Sequence, residues 1–307
     1  MRKSAKESIK EELCGGTLRG EKLQKVMAQS GFGSRRMMEE WIASGRVSVN
    51  GELATLGMRV LNGDIIKVNR QVICVGKKYH PARILLYHKP DGEIVSCDDP
   101  GKRATVFDKL PKIRGQKWIA IGRLDINTSG LLIFTTSGEL ANCLMHPRFE
   151  VEREYAVRLQ GTLTDEQINQ LLKQGVALTD GLIKYEILQD EGGEGLNHWY
   201  RLILKEGRNR VVRRTFEALG LTVSRLMRVR FGVIKLPPRL KRGMVLELNE
   251  SEVAHLMRWA GLADDNKELS GNLPIARETD RYKPNDSNRS LRASQGVAKR
   301  MHIKQKK

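Results

Sequence analysis

Asp125 is a carboxylate on a short polar turn, Gly122-Arg123-Leu124-Asp125-Ile126-Asn127-Thr128-Ser129-Gly130. Trp118 to Ile121 lead into it and Leu131 to Phe134 lead out, both apolar runs. A loop acid held between two buried strands is a rigid place for chemistry. A carboxylate there can carry a proton or attack carbon. Asp, Asn, Thr, Ser and Gly also make ordinary turns, so the turn alone is compatible with mere chain reversal.

Further along, Glu206-Gly207-Arg208-Asn209-Arg210-Val211-Val212-Arg213-Arg214 is the densest basic cluster within the part expected to fold. On a helix, Val212, Phe216 and Leu219 share an apolar stripe, with Arg210, Arg213, Arg214 and Glu217 opposite. That side is either a solvated charged face or a surface for RNA phosphate with one Arg turned toward a site. In Val223-Ser224-Arg225-Leu226-Met227-Arg228-Val229-Arg230 cations alternate with apolar residues. A strand would put Arg228 and Arg230 on one face, and a basic strand beside a basic helix makes a groove for a phosphate backbone. Tyr155 is in phase with Val157 and Leu159. That phase buries the ring or sets it at a site edge, where it can stack on a base.

The elements that must position these residues fall into two groups. Residues 21–80 read as a small module of two helices and a small sheet. Leu23, Val26 and Met27 recur at helical spacing, Ser34 caps a second helix with Met38, Trp41 and Ile42 on one face, and Asn50-Gly51 marks a hairpin. Lys22 and Lys25 are expected on one side of the first helix, Arg35 and Arg36 in the first turn of the second, and Arg46 at its exit. Cations at a helix N-terminus oppose the dipole, which suggests an external anion or simply a solvated face. Residues 81–262 carry strands at 83–88, 118–122, 131–135, 153–160, 182–189, 198–205 and 223–231. Helices are expected after the capping box Thr164-Asp165-Glu166-Gln167 and over 209–219. Strands outnumber helices without regular alternation, which predicts an α+β fold with a mixed, largely antiparallel sheet. Gly192-Gly193-Glu194-Gly195 precedes a strand, not a helix, and reads as a turn instead of a phosphate loop.

The chain has 307 residues and a formal net charge of +18. That excess favours a polyanionic partner, with nucleic acid first and an anionic membrane second. No apolar run approaches the ~20 residues of a membrane span, and the N-terminus lacks an apolar signal core. Cys14, Cys74, Cys97 and Cys143 form no C-x-x-C pair and read as free thiols of a reducing cytosol. The six histidines are scattered. Residues 1–20 read as a flexible extension and 263–307 as a disordered basic tail.

Gly122-Arg123-Leu124-Asp125 followed by Ser129-Gly130-Leu131-Leu132 resembles the signature of the ribosomal pseudouridine synthases of the small-subunit-synthase-A and large-subunit-synthase-B type. Ser34-Arg35-Arg36, Gly45-Arg46-Val47 and Val49-Asn50-Gly51 resemble the S4-like RNA-binding module that precedes that catalytic domain. The similarity continues through Tyr87-His88-Lys89-Pro90, Met145-His146-Pro147, Glu152-Arg153-Glu154-Tyr155 and Glu206-Gly207-Arg208-Asn209-Arg210, and covers roughly residues 20–262. The stretch 98–115 and the Gly192–Gly195 turn favour the large-subunit-synthase-B type. The resemblance implies isomerisation of a uridine in large-subunit ribosomal RNA or its precursor particle, by a cytoplasmic monomer without cofactor or metal. Asp125 then adds at C1′ or assists removal of the C2′ proton. Arg213 is its basic partner, Tyr155 stacks on the target base and Leu226 packs beside it. Arg123 fills the emptied stack or holds a phosphate. Lys22, Lys25, Arg35, Arg36, Arg46, Arg208, Arg210, Arg214, Arg228 and Arg230 are the expected RNA contacts. Two other readings stand beside it: a non-catalytic RNA-binding assembly factor, and a basic protein of a membrane surface.

Overall fold

The computed structural model describes residues 20–69, 71–74, 81–97, 99–113 and 116–262. The expected N-terminal extension, most of the linker and the basic tail lie outside these.

The chain opens with β1 (Glu21–Lys22), α1 (Leu23–Gln29) and α2 (Arg35–Ala43). The helices bury Leu23, Val26, Met27, Met38 and Ile42 in one small core, as their spacing predicts. Ser34 Oγ accepts the Met37 N–H at 3.1 Å and caps α2. β2 (Val47–Val49) turns through Asn50 and Gly51 into β3 (Glu52–Leu53). Both turn residues have positive φ, as an Asn-Gly hairpin requires. β4 (Arg59–Val60) pairs with β1, while β5 (Ile65–Val68) and β6 (Gln71–Cys74) complete a four-stranded sheet. Lys22 lies in β1 instead of on the helix, so it does not share a helix side with Lys25. Lys25 pairs with Glu21 at 2.6 Å.

The larger part contains β7 (Ile84–Lys89), β8 (Ile119–Ile121), β9 (Ser129–Thr135), α3 (Gly138–Met145), β10 (Arg153–Gln160) and α4 (Asp165–Asn169). It continues through β11 (Val176–Leu178), β12 (Gly181–Ile183), β13 (Ile187–Glu194), β14 (Asn197–Leu204) and α5 (Val211–Ala218). It closes with β15 (Thr222–Phe231), β16 (Ile234–Lys235), β17 (Val245–Glu247) and α6 (Glu250–Trp259). The nine-stranded sheet runs β13-β14-β10-β15-β9-β7-β17, with β8 and β16 at its margins. It is mixed: β9 and β15 pair parallel and its other pairings are antiparallel.

β9 sits mid-sheet and every one of its residues is buried. Leu132 and Phe134 enter the core on one face, and Leu131 and Ile133 the core on the other. Burial on both faces is why this strand reads as a continuous apolar run. Each such side chain contributes roughly 1.5–3 kcal/mol. The expected strand over 182–189 is instead two elements, β12 and β13. The chain bends between them to bury Tyr185, whose N–H donates to the Leu171 carbonyl at 3.1 Å. The expected helix over 209–219 starts at Val211, because Arg210 is left-handed with φ 46°. Among the described residues, no helix is long and apolar enough to cross a membrane.

Candidate active site

Asp125 sits on the loop between β8 and β9. Gly122, at φ 75°, turns the chain out of β8. The Thr128 N–H then donates to the Asp125 carbonyl at 3.0 Å and closes the turn. Asp125 is half-buried, whereas Leu124 and Thr128 around it are buried.

Two cations hold the loop from behind. Lys89, at the end of β7, is fully buried; its Nζ donates to the carbonyls of Pro90 (2.9 Å), Ile126 (3.3 Å) and Thr128 (3.0 Å). Burial lowers its pKa, while Asp91, Glu93 and Asp125 oppose that shift. Arg213, from α5, donates Nη2 to the Asn127 carbonyl at 2.6 Å and Nη1 to the Val223 carbonyl at 2.9 Å. Arg213 therefore does not pair directly with the Asp125 carboxylate. It acts on that charge through space and on the loop through the backbone. Burial lowers the Arg213 pKa, Arg210 adds to the shift, and Asp125 works against it. α5 places Arg213 there because Val211, Val212, Thr215 and Phe216 are buried on its other side.

The parallel pairing of Ser129 with Met227 and of Gly130 with Arg228 sets β15 directly beside the loop. Gly130 is required at this crossing: its φ is 105°, and a Cβ would lie 2.6 Å from the Arg228 nitrogen and closer still to the Arg228 carbonyl oxygen. Leu226 is buried on β15, and Tyr155 is buried on the adjacent β10, opposite Arg228. A cleft of about 1310 Å³ brings Asp125, Arg123, Tyr155, Leu226, Arg208, Arg210 and Arg228 together. Arg213, Arg214 and Arg230 do not line it. Arg123 and Arg210 are exposed.

Several expected RNA contacts have other partners. Arg214 pairs with both Asp180 oxygens at 3.0 and 2.7 Å. Arg208 donates to the carbonyls of Asp180, Gly181 and Leu182 and pairs with Glu206. Arg230 pairs with Glu154 and Glu152. Arg228 is 2% exposed. The expectation that Arg228 and Arg230 share a face fails because of a β-bulge. Glu154 faces Arg230 and Tyr155 faces Arg228, so Val229 is left unpaired and the alternation resets. In the N-terminal module, Arg35 and Arg36 are exposed in the first turn of α2. Arg46 stacks over Trp41 at 4.6 Å and bonds Asn69. Lys22, Lys25, Arg35, Arg36 and Arg46 do not line the cleft. Lys89 is a loop-holding residue beyond those expected from the sequence. A lysine inside an apolar strand and followed by proline was the available signal.

Residues 83–218 match the family model of RNA pseudouridylate synthase, and residues 21–66 match that of the S4 domain. A ribosomal large subunit pseudouridine synthase B of Escherichia coli K12 is 47% identical over 281 residues, covering 91% of this chain and 95% of that protein. The chain belongs to the RNA pseudouridylate synthase family. A Pseudomonas aeruginosa protein with the same name as the Escherichia coli one is 53% identical over 245 residues, 79% of this chain and 63% of its own length. The Yersinia pestis protein of that name is 47% identical over 92% of this chain and 88% of its own length. A crystal structure of a pseudouridylate synthase has the same fold, with TM-score 0.53 and 24% identity over 77% of this chain and all of that one. Among the described residues, no group of three or more His, Cys, Asp or Glu side chains is arranged to hold a metal ion.

Proposed function

We propose that this protein isomerises a uridine of large-subunit ribosomal RNA to pseudouridine, with Asp125 as the catalytic carboxylate. The observation that carries the reading is the shared cleft. One loop carboxylate, one buried tyrosine and one buried leucine line a single cleft, on elements about 30 and 100 residues apart in sequence. Tyr155 offers a face for stacking on the base and Leu226 packs beside it. Eversion of the nucleotide from folded RNA costs a few kcal/mol. Exposed Arg123 and Arg210 at the cleft, and Arg35 and Arg36 on the N-terminal module, offset it through phosphate contacts. Residues 21–80 act as the RNA-binding domain and residues 81–262 as the catalytic domain. The protein works as a monomer in the cytoplasm. Its relatives' names point to the large subunit. The finer reading is a uridine of the position-2605 type.

Pseudouridine mapping in ribosomal RNA from wild-type and deletion cells tests this. The expected result is the loss of one pseudouridine from the large subunit, restored by the wild-type gene. Loss confined to the small subunit would contradict the substrate, and no loss at all would contradict the activity.

Arg213 has a separable role in this reading: it fixes the loop that carries Asp125. Arg213→Ala is expected to lower kcat about 100-fold, the scale of a small misplacement of a reacting group. KM for RNA stays within about twofold. Arg213→Lys recovers little, because an ammonium cannot reach both carbonyls as the fork does. Single-turnover and steady-state kinetics on the same RNA separate these effects.

A further inference from the structure

Arg228 is charged, buried and incompletely satisfied. Its Nε donates to the Leu131 carbonyl at 2.8 Å, and burial lowers its pKa while Tyr155 opposes that shift. Its Nη2 is buried and has no partner among the described residues, yet Arg228 is among the residues lining the cleft. Leaving a buried charged donor unpaired is costly. Among the described residues, no carboxylate pairs with Arg228. Its neighbours are Tyr155 and the Phe231 ring, with the guanidinium 5.0 Å from the ring centroid. The second cation against that ring is Arg153, also at 5.0 Å. Arg153 Nη1 is committed to the carbonyls of Val151 and Lys205. Burial lowers the pKa of both arginines. Among the described residues neither Arg153 nor Arg228 is ion-paired to an acid, and Arg228 has a spare donor.

The surroundings indicate what that donor is for. Plain strand alternation, unbroken until the β-bulge at Val229, puts Arg228 in phase with Leu226, and Tyr155 stands across from Arg228 on β10. A planar ring between Tyr155 and Leu226 would turn an edge toward Arg228. A phosphate would have to shed its water among these same buried side chains. We propose that Arg228 reads the target base: Nη2 donates to a carbonyl oxygen of the everted uracil and takes up the negative charge the ring acquires during reaction. This rests on the isomerase activity proposed above. When the N1–C1′ bond breaks heterolytically, the bonding pair stays on the ring and spreads over N1, O2 and O4. A guanidinium already bonded to one of those oxygens stabilises the detached ring while C5 turns to C1′. The C5–C1′ bond then forms, C5 releases its proton and N1 gains one, so the net change is isomerisation. If O4 is the atom held, cytosine would set an amino donor against Nη2 and be rejected.

The test uses a synthetic RNA stem-loop carrying the uridine identified by mapping, with uridine, 2-thiouridine or 4-thiouridine at the target. Sulfur accepts a hydrogen bond more weakly than oxygen. Wild-type single-turnover rates should fall at least about tenfold for sulfur at one of the two positions and little at the other. Arg228→Gln should be at least about 100-fold slower on uridine, with RNA affinity within about twofold, and should no longer distinguish the thio substrates. Arg228→Lys, which retains charge, should recover part of the rate; near-UV circular dichroism checks that both variants are folded. Equal wild-type rates on all three RNAs would overturn the proposal without recourse to any variant. So would variants that keep the sulfur effect, or a loss confined to RNA affinity, which would mark a phosphate contact. No pseudouridine from the uridine control with wild-type protein would overturn the activity itself. Pseudouridine formed independently of Arg228 would overturn the base-reading role alone.

Discussion

Asp125→Asn is expected to abolish pseudouridine formation while leaving RNA binding within about twofold of wild type. The substitution is isosteric and removes only the charge and nucleophilicity of the carboxylate. Lys89 and Arg213 act on the Asp125 charge through space and not by gripping its carboxylate, so the loop loses no anchor. The anchors are Lys89, Arg213 and the Thr128 N–H, all of which bind backbone carbonyls of the loop. A rate loss of at least ~10²–10⁴-fold is the scale for a lost acid–base group, and more where a covalent step is removed. Tritium release from 5-tritiated uridine in RNA, measured beside filter binding, checks both halves. Retained turnover in a preparation free of other synthases would remove Asp125 from the chemistry.

Gly130→Ala is expected to damage fold and activity together. A methyl group there meets the backbone of Arg228, which cannot swing aside as a side-chain tip can, and φ of 105° is strained for alanine. The loss should be about 3 kcal/mol or more, lowering the thermal midpoint by roughly 6–12 °C. β9 and β15 would part at the point where Leu226 is set beside the Asp125 loop. Activity should therefore fall even at temperatures where the variant remains folded. Calorimetry paired with rate measurements at 20 °C separates the two losses. An unchanged midpoint would mean that the strands can spread at little cost.

The Asp125 turn was legible in sequence because polar turn residues interrupt two apolar runs, the second of which is apolar because β9 is buried on both faces. Ser34, Thr164 and Asn50-Gly51 announced their cap, capping box and hairpin through local chemistry, and each forms as expected. Sequence pattern and structure part where one residue changes phase or a distant partner decides. The strand containing Arg228 looks alternating, and nothing local announces the bulge at Val229. Arg208, Arg214 and Arg230 read as a basic surface because Asp180, Glu152 and Glu154 come to them from other elements. Lys89 holds the Asp125 loop through carbonyls some 40 residues away, and a carbonyl acceptor leaves no mark in the sequence. Lys22 lies in β1 because Arg59 pairs with it, a contact no helical spacing could reveal.

The parallel β9–β15 contact also sets an order on how the protein becomes competent. It joins Ser129 to Met227 across nearly a hundred residues, a long loop to close during folding. A nascent chain that has progressed only through β9 carries the acid but has neither the tyrosine strand nor the leucine strand against it. In the proposed reading, the Asp125 carboxylate and the walls formed by Tyr155 and Leu226 therefore come together in one late step. A half-made polypeptide, already cationic enough to cling to ribosomal RNA, has no cleft in which a glycosidic bond could be cut without being remade.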